Sequence, residues 1–139
     1  MLLLDTHVWI WSVEADAHRV GRRARQLLSR AESHDDIRIS PATVFEVTAL
    51  HTAGRLRLAQ PLEQWIRQAL DVAGVRLAEL SPAIAIDAGS IPCSALSDPL
   101  DRLLVATARQ LDATFLTSDV RILDYAAETG NVRVHDASV

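Results

Sequence analysis

The stretch Ser97–Asp119, SDPLDRLLVATARQLDATFLTSD, decides the fold. Asp98 directly before Pro99 is a helix start, with the carboxylate as N-cap and the proline at the first helical position. Asp101 then falls in the first turn, where the helix dipole favours an anion. Leu103, Leu104, Ala106, Thr107, Ala108 and Leu111 form a dense apolar pattern, which predicts a largely buried helix. A short apolar strand, Thr114–Thr117, follows, and Ser118-Asp119 closes it. Acids at a helix N-terminus and at the next strand's C-terminus point to one end of a sheet, the end where open α/β sheets form their sites.

Working outward, Leu2-Leu3-Leu4 is too short an apolar run for a helix and predicts a buried central strand, Leu2–Asp5, carrying Asp5 off its end. Further strands are expected at Ile37–Ile39, Val75–Leu80 and Val132–Val134, with Val75–Leu80 a candidate to lie outside the main sheet. Val8-Trp9-Ile10-Trp11 reads as an apolar helix or turn. His18–Glu32 has helical periodicity, and its arginines make a solvated face or a rim for phosphates. Ser40-Pro41 opens a helix that places Glu46 among apolar neighbours, where a carboxylate is costly unless paired or bound to a cation. Pro61 begins a helix that ends at Gly74, and Pro82–Ala88 and Arg121–Ala126 are shorter ones. Strands alternating with helices predict a parallel-sheet α/β architecture.

Bulk properties narrow the function. With 139 residues, 49% hydrophobic and 23% charged, the chain suits a single domain over 1–139 with a real core. No apolar run reaches the roughly 20 residues of a membrane span, and no signal-peptide pattern opens the chain. The lone cysteine, Cys93, fits a reducing compartment, and a cytoplasmic location is expected. All 14 basic residues are arginine and the net charge is −4, so bulk charge does not announce nucleic acid. Neither a phosphate-binding G-x-x-x-x-G-K-[ST] loop nor G-x-G-x-x-G is present.

Asp5, Glu46, Asp98 with Asp101, and Asp119 each stand at a strand end or in the early turns of a helix. Parallel strands would bring them to one face. Carboxylates so gathered raise one another's pKa values unless a cation compensates. All-oxygen ligation favours Mg²⁺ or Mn²⁺ over Zn²⁺. Such a site suits metal-dependent phosphodiester hydrolysis.

Four segments carry a resemblance: LLLDTHVWIW (Leu2–Trp11), SPATVFEV (Ser40–Val47), DPLDRLLVATA (Asp98–Ala108) and FLTSD (Phe115–Asp119). In this order they resemble the PIN-domain family, specifically the VapC-type ribonuclease toxins of type II toxin–antitoxin pairs. The resemblance implies a three-layer α/β/α fold with a small central, mostly parallel sheet. It implies Mg²⁺- or Mn²⁺-dependent endoribonuclease cleavage leaving a 3′-hydroxyl and a 5′-phosphate. Asp5, Glu46, Asp101 and Asp119 match the family's acidic quartet. Asp5, Asp101 and Asp119 would hold metal, and Glu46 would help hold it or orient the attacking water. Asp98 would bind metal through water or simply cap its helix. Thr6 and Ser118 match small polar positions beside the carboxylates, and Arg102 a basic neighbour of the scissile phosphate. The implied partners are RNA, a VapB-like antitoxin and a second copy in a homodimer or toxin–antitoxin hetero-oligomer, with Trp9, Trp11 and Trp65 as contact or core candidates. RNA binding by an acidic chain requires a local basic rim, expected at Arg19–Arg30. Two rivals stay open. One is a catalytically silent protein-binding module. The other is an acid-pocket phosphatase, disfavoured because no second Asp follows Asp5 two residues on and no Lys is present.

Overall fold

The computed structural model describes the backbone of residues 1–139 and every side chain but that of Ala17. Five parallel strands form one sheet in the order β3-β2-β1-β4-β5, where β1 is Leu2–Leu4, β2 Ile37–Ile39, β3 Val75–Leu77, β4 Thr114–Thr117 and β5 Val134–Asp136. The helices are α1 (Thr6–Val13), α2 (Arg22–Ser33), α3 (Pro41–Thr52), α4 (Leu62–Leu70), α5 (Pro82–Ser90), α6 (Pro99–Leu111) and α7 (Val120–Thr129).

β1 explains the layering. Its three leucines are all buried because both faces of the strand are covered. Leu2 and Leu4 point into one core with Trp9 of α1, Ala24 of α2 and Trp65 of α4. Leu3 points into the other, with Leu104 and Val105 of α6 and Ile122 and Tyr125 of α7. The period-2 alternation of a strand thus sorts one apolar run into two cores, and the result is three layers. Trp9 and Trp65 meet edge to face at 5.0 Å between ring centroids, and both belong to the core. α5 packs on the outside of α6, its Ile84 and Ala88 against Ala106.

An ion pair also joins α5 to α6, with Arg109 donating to both carboxylate oxygens of Asp87 and Gln110 adding a longer bond. Asp87 therefore ties two helices together. Asp87→Ala leaves the Arg109 guanidinium half-buried and without its carboxylate. It is expected to cost about 1–3 kcal/mol, read as a lower urea midpoint at unchanged slope.

Four expected elements move. Val75–Leu80 shortens to β3 and joins the sheet as an edge strand, because β2 offers only Ile37–Ile39 to pair with it. The last strand shifts from Val132–Val134 to Val134–Asp136, since Val132 is drawn into the core and Val134 takes the register opposite Phe115. The helix expected over His18–Glu32 divides into a 3₁₀ turn, Ala17–Arg19, and α2, which begins only after Gly21. Gly21 donates its N–H to the Ala137 carbonyl, and its Cα lies so close to the Ser138–Val139 backbone that no side chain fits. α4 ends at Leu70, before Gly74, whose φ of +87° and contact with the Glu32 backbone demand glycine there.

Candidate metal centre

The strand order makes the site. From β1 the chain passes to β2 and β3 on one side, then returns to β4 and β5 on the other, so β1/β4 is the switch point of the sheet. Asp5 leaves the C-terminal end of β1 and Asp119 follows β4. Three of the acids are helix N-caps: Asp5 accepts from Thr6 N–H at 2.8 Å, Asp98 from Leu100 N–H at 2.9 Å and Asp119 from Arg121 N–H at 2.9 Å. One helix start therefore explains the position of each of these carboxylates. Asp101 sits one turn into α6 and is buried, at 7% exposure. Glu46 comes from α3, where Thr6 donates a short hydroxyl bond to its Oε1.

The electrostatics show how closely these groups meet. Burial raises the Asp101 carboxyl to about 7, with Asp98, Asp5 and Asp119 adding to the rise and Arg121 opposing it. Burial also raises Asp5, against hydrogen bonds from Thr117 and Thr6, and Glu46 pushes in the same upward direction. Asp119 is held below the usual carboxylate range, first by its hydrogen bond from the Arg121 side chain. The acids expected to converge are thus within each other's fields. Yet among the described residues no three His, Cys, Asp or Glu side chains close on a common point as metal ligands. The donor set suits a hard cation in chemistry and charge, and the arrangement stops short of a closed coordination shell.

Two residues not singled out by sequence reasoning complete the pocket. Thr117, fully buried at the end of β4, donates to Asp5 Oδ2 at 2.6 Å and accepts from Asp119 N–H at 3.0 Å. Its hydroxyl joins the two strand ends. Its place at the C-terminal end of β4, two residues before Asp119, is the available signal. Arg121 is the second. Its Nε and Nη2 reach Asp119 Oδ1 at 3.2 Å and Oδ2 at 3.0 Å.

The expected basic residues lie elsewhere. Arg102 turns back toward the Ser97 carbonyl and lines a hollow between α5 and α6, because its place on α6 faces α5. Arg30, at the end of α2, lines a hollow with Met1, Leu2 and Thr114, where β1 and β4 begin. That is the opposite end of the sheet from Asp5, so this part of the expected Arg19–Arg30 rim cannot border the acids. Arg19 instead lies 5.7 Å from the Trp11 ring, and His7 stands 6.0 Å from the same ring on the other turn of α1.

The PIN domain model matches residues 2–128. The sequence is 32% identical over 121 residues to Ribonuclease VapC22 of Mycobacterium tuberculosis (strain ATCC 25618 / H37Rv), covering 87% of this chain and 88% of the relative. The chain belongs to the PIN-domain family. Solved PIN-fold neighbours agree in architecture. A chain of the VapBC2 complex of Rickettsia felis, bound to a DNA fragment from its promoter, superposes with a TM-score of 0.68 at 12% identity, covering 97% of each chain. A chain of DNA-bound VapBC from Salmonella typhimurium gives 0.66 at 18% identity, over 97% of this PIN chain and 96% of its own. VapBC-1 of nontypeable Haemophilus influenzae gives 0.60 at 19% identity, over 99% and 98%. Among the described residues, no helix of this PIN protein is long and apolar enough to cross a membrane.

Proposed function

We propose that this PIN nuclease of a toxin–antitoxin pair is a Mg²⁺- or Mn²⁺-dependent endoribonuclease, cutting RNA to a 3′-hydroxyl and a 5′-phosphate. The observation that carries the reading is the Asp101 carboxyl, raised to about 7 by burial beside Asp98, Asp5 and Asp119. So much negative charge gathered at one end of a sheet favours binding of a cation. Asp5, Asp101 and Asp119 would hold the metal, with Asp98 bound to it through water or confined to its cap. The metal supplies charge shielding for the phosphate and a water of lowered pKa. Thr117 fixes the Asp5 carboxylate through Oδ2, leaving its orientation little freedom. Thr6 holds Glu46 through Oε1, so the other oxygen is the one available to orient a water. A VapB-like antitoxin is the expected partner, since the structural relatives were crystallised as VapBC complexes. A homodimer or hetero-oligomer is the expected assembly.

The test is cleavage of total cellular RNA by protein freed of any partner through denaturing purification and refolding. Discrete fragments are expected with Mg²⁺ or Mn²⁺ and none with chelator, and sequencing the fragment ends names the target. Undiminished cleavage in chelator would reject the metal reading. Metal uptake without cleavage of any RNA would favour the silent binding module.

A further inference from the structure

We propose that Arg121 is the pocket's own counter-ion, and that loading a divalent metal is an exchange in which the guanidinium leaves Asp119. The inference rests on the reading of Asp119 as a metal ligand. Both carboxylate oxygens of Asp119 are already taken, Oδ1 by the backbone N–H and Nε of Arg121 and Oδ2 by its Nη2. Mg²⁺ bonds a carboxylate oxygen at about 2.0–2.1 Å. A guanidinium hydrogen-bonded to that same carboxylate places like charge beside the ion. The two cations therefore compete for one group.

Three further observations agree. The Arg121 charge is also felt at Asp101 and Asp98, so it offsets the cluster and not one acid alone. The arrangement in which Arg121 holds Asp119 is also the one in which, among the described residues, no three acids close as ligands. Finally, the Arg121 side chain is 68% exposed and its side-chain hydrogen bonds are those to Asp119, so nothing else anchors it when the pair opens. Arg121 is in the first turn of α7 and Asp119 is the N-cap of the same helix, so the exchange needs rotamer changes only. An exposed ion pair is weak and a divalent cation is the stronger competitor.

Mn²⁺ titrations by calorimetry on full-length wild type, Arg121→Gln and Arg121→Lys decide the matter. Arg121→Gln removes the competing charge and is expected to bind Mn²⁺ about 3- to 10-fold more tightly than wild type. Arg121→Lys keeps the charge but cannot present two parallel N–H groups, so its affinity should fall between the two. In the wild type, the Arg121 Nε–H resonance, identified by its absence in both variants, should move as Mg²⁺ is added. Equal Mn²⁺ affinity in all three proteins would overturn the exchange while leaving the metal site standing. Affinity in Arg121→Lys equal to wild type, or an unmoved resonance at saturating Mg²⁺, would overturn it too. No Mn²⁺ uptake by any of the three would remove the metal site itself, and the exchange with it.

Discussion

Asp5→Asn leaves a folded protein with RNA cleavage reduced at least about 10²- to 10³-fold, the scale on which a positioned electrostatic group acts. Asparagine is a good N-cap, so the start of α1 survives the change. Its amide has the size of the carboxylate and can still meet the Thr117 hydroxyl, which is free to turn and accept. The charge is what disappears. Burial and Glu46 already work against that charge in the wild type, so its removal carries no folding penalty, and the melting temperature without metal should stay level or rise. Loss of Mn²⁺ uptake should accompany loss of cleavage. An Asp5→Asn protein that cuts RNA at the wild-type rate would remove Asp5 from the metal site.

The second large effect is on stability against pH. The Asp101 carboxyl titrates at about 7 in the folded chain and near 3.8 when unexposed to its neighbours. Between those values the folded state holds a proton that the unfolded state has released. Stability without metal is therefore greatest below pH 4 for this group and falls steadily until pH 7. Asp119, with its pKa depressed, acts in the other direction: its contribution is complete above 3.8 and is lost only as acid reaches the lowered value. The two windows do not overlap, so melting curves from pH 5 to 8 report the Asp101 type of shift, to which Asp5 adds. Asp101→Asn should flatten that slope and raise the melting temperature at pH 8 by about 3–6 °C, while abolishing cleavage. Mg²⁺ should restore most of the same loss in the wild type at pH 8 and little at pH 5. A wild-type melting temperature constant across this range would contradict the burial of Asp101 as an isolated acid.

Much of this was legible before any coordinates, and the reason is local. Asp98-Pro99, Ser40-Pro41 and the leucine run before Asp5 are signals written in adjacent residues, and α6, α3 and β1 appear where they say. Asp5 and Asp119 were legible for the same reason, because a carboxylate that caps a helix after a strand can only stand at the strand's C-terminal end. What was not legible depends on partners far away in sequence. β3 is cut to three residues by the length of β2, and β5 slides to suit Phe115. Arg102 looked like the basic neighbour because it adjoins Asp101, but a helix turns adjacent residues about 100° apart. The guanidinium that reaches the acids belongs to Arg121, two residues past an N-cap. The role of Thr117 is a bond across strands, visible only once β1 and β4 are side by side.

That neighbourhood sets when the acid cluster can form. β1 is made before β4, the strand that flanks it at the acids. The bond from Thr117 to Asp5 spans 112 residues of chain. Synthesis proceeds from the N-terminus, so Asp5 is made 112 residues before the hydroxyl that fixes it. A chain that stops before β4 carries Asp5, Glu46 and Asp101 but lacks Asp119 and the Thr117 hydroxyl that fixes Asp5. The strand order therefore leaves the acid cluster unassembled until β4 lies beside β1.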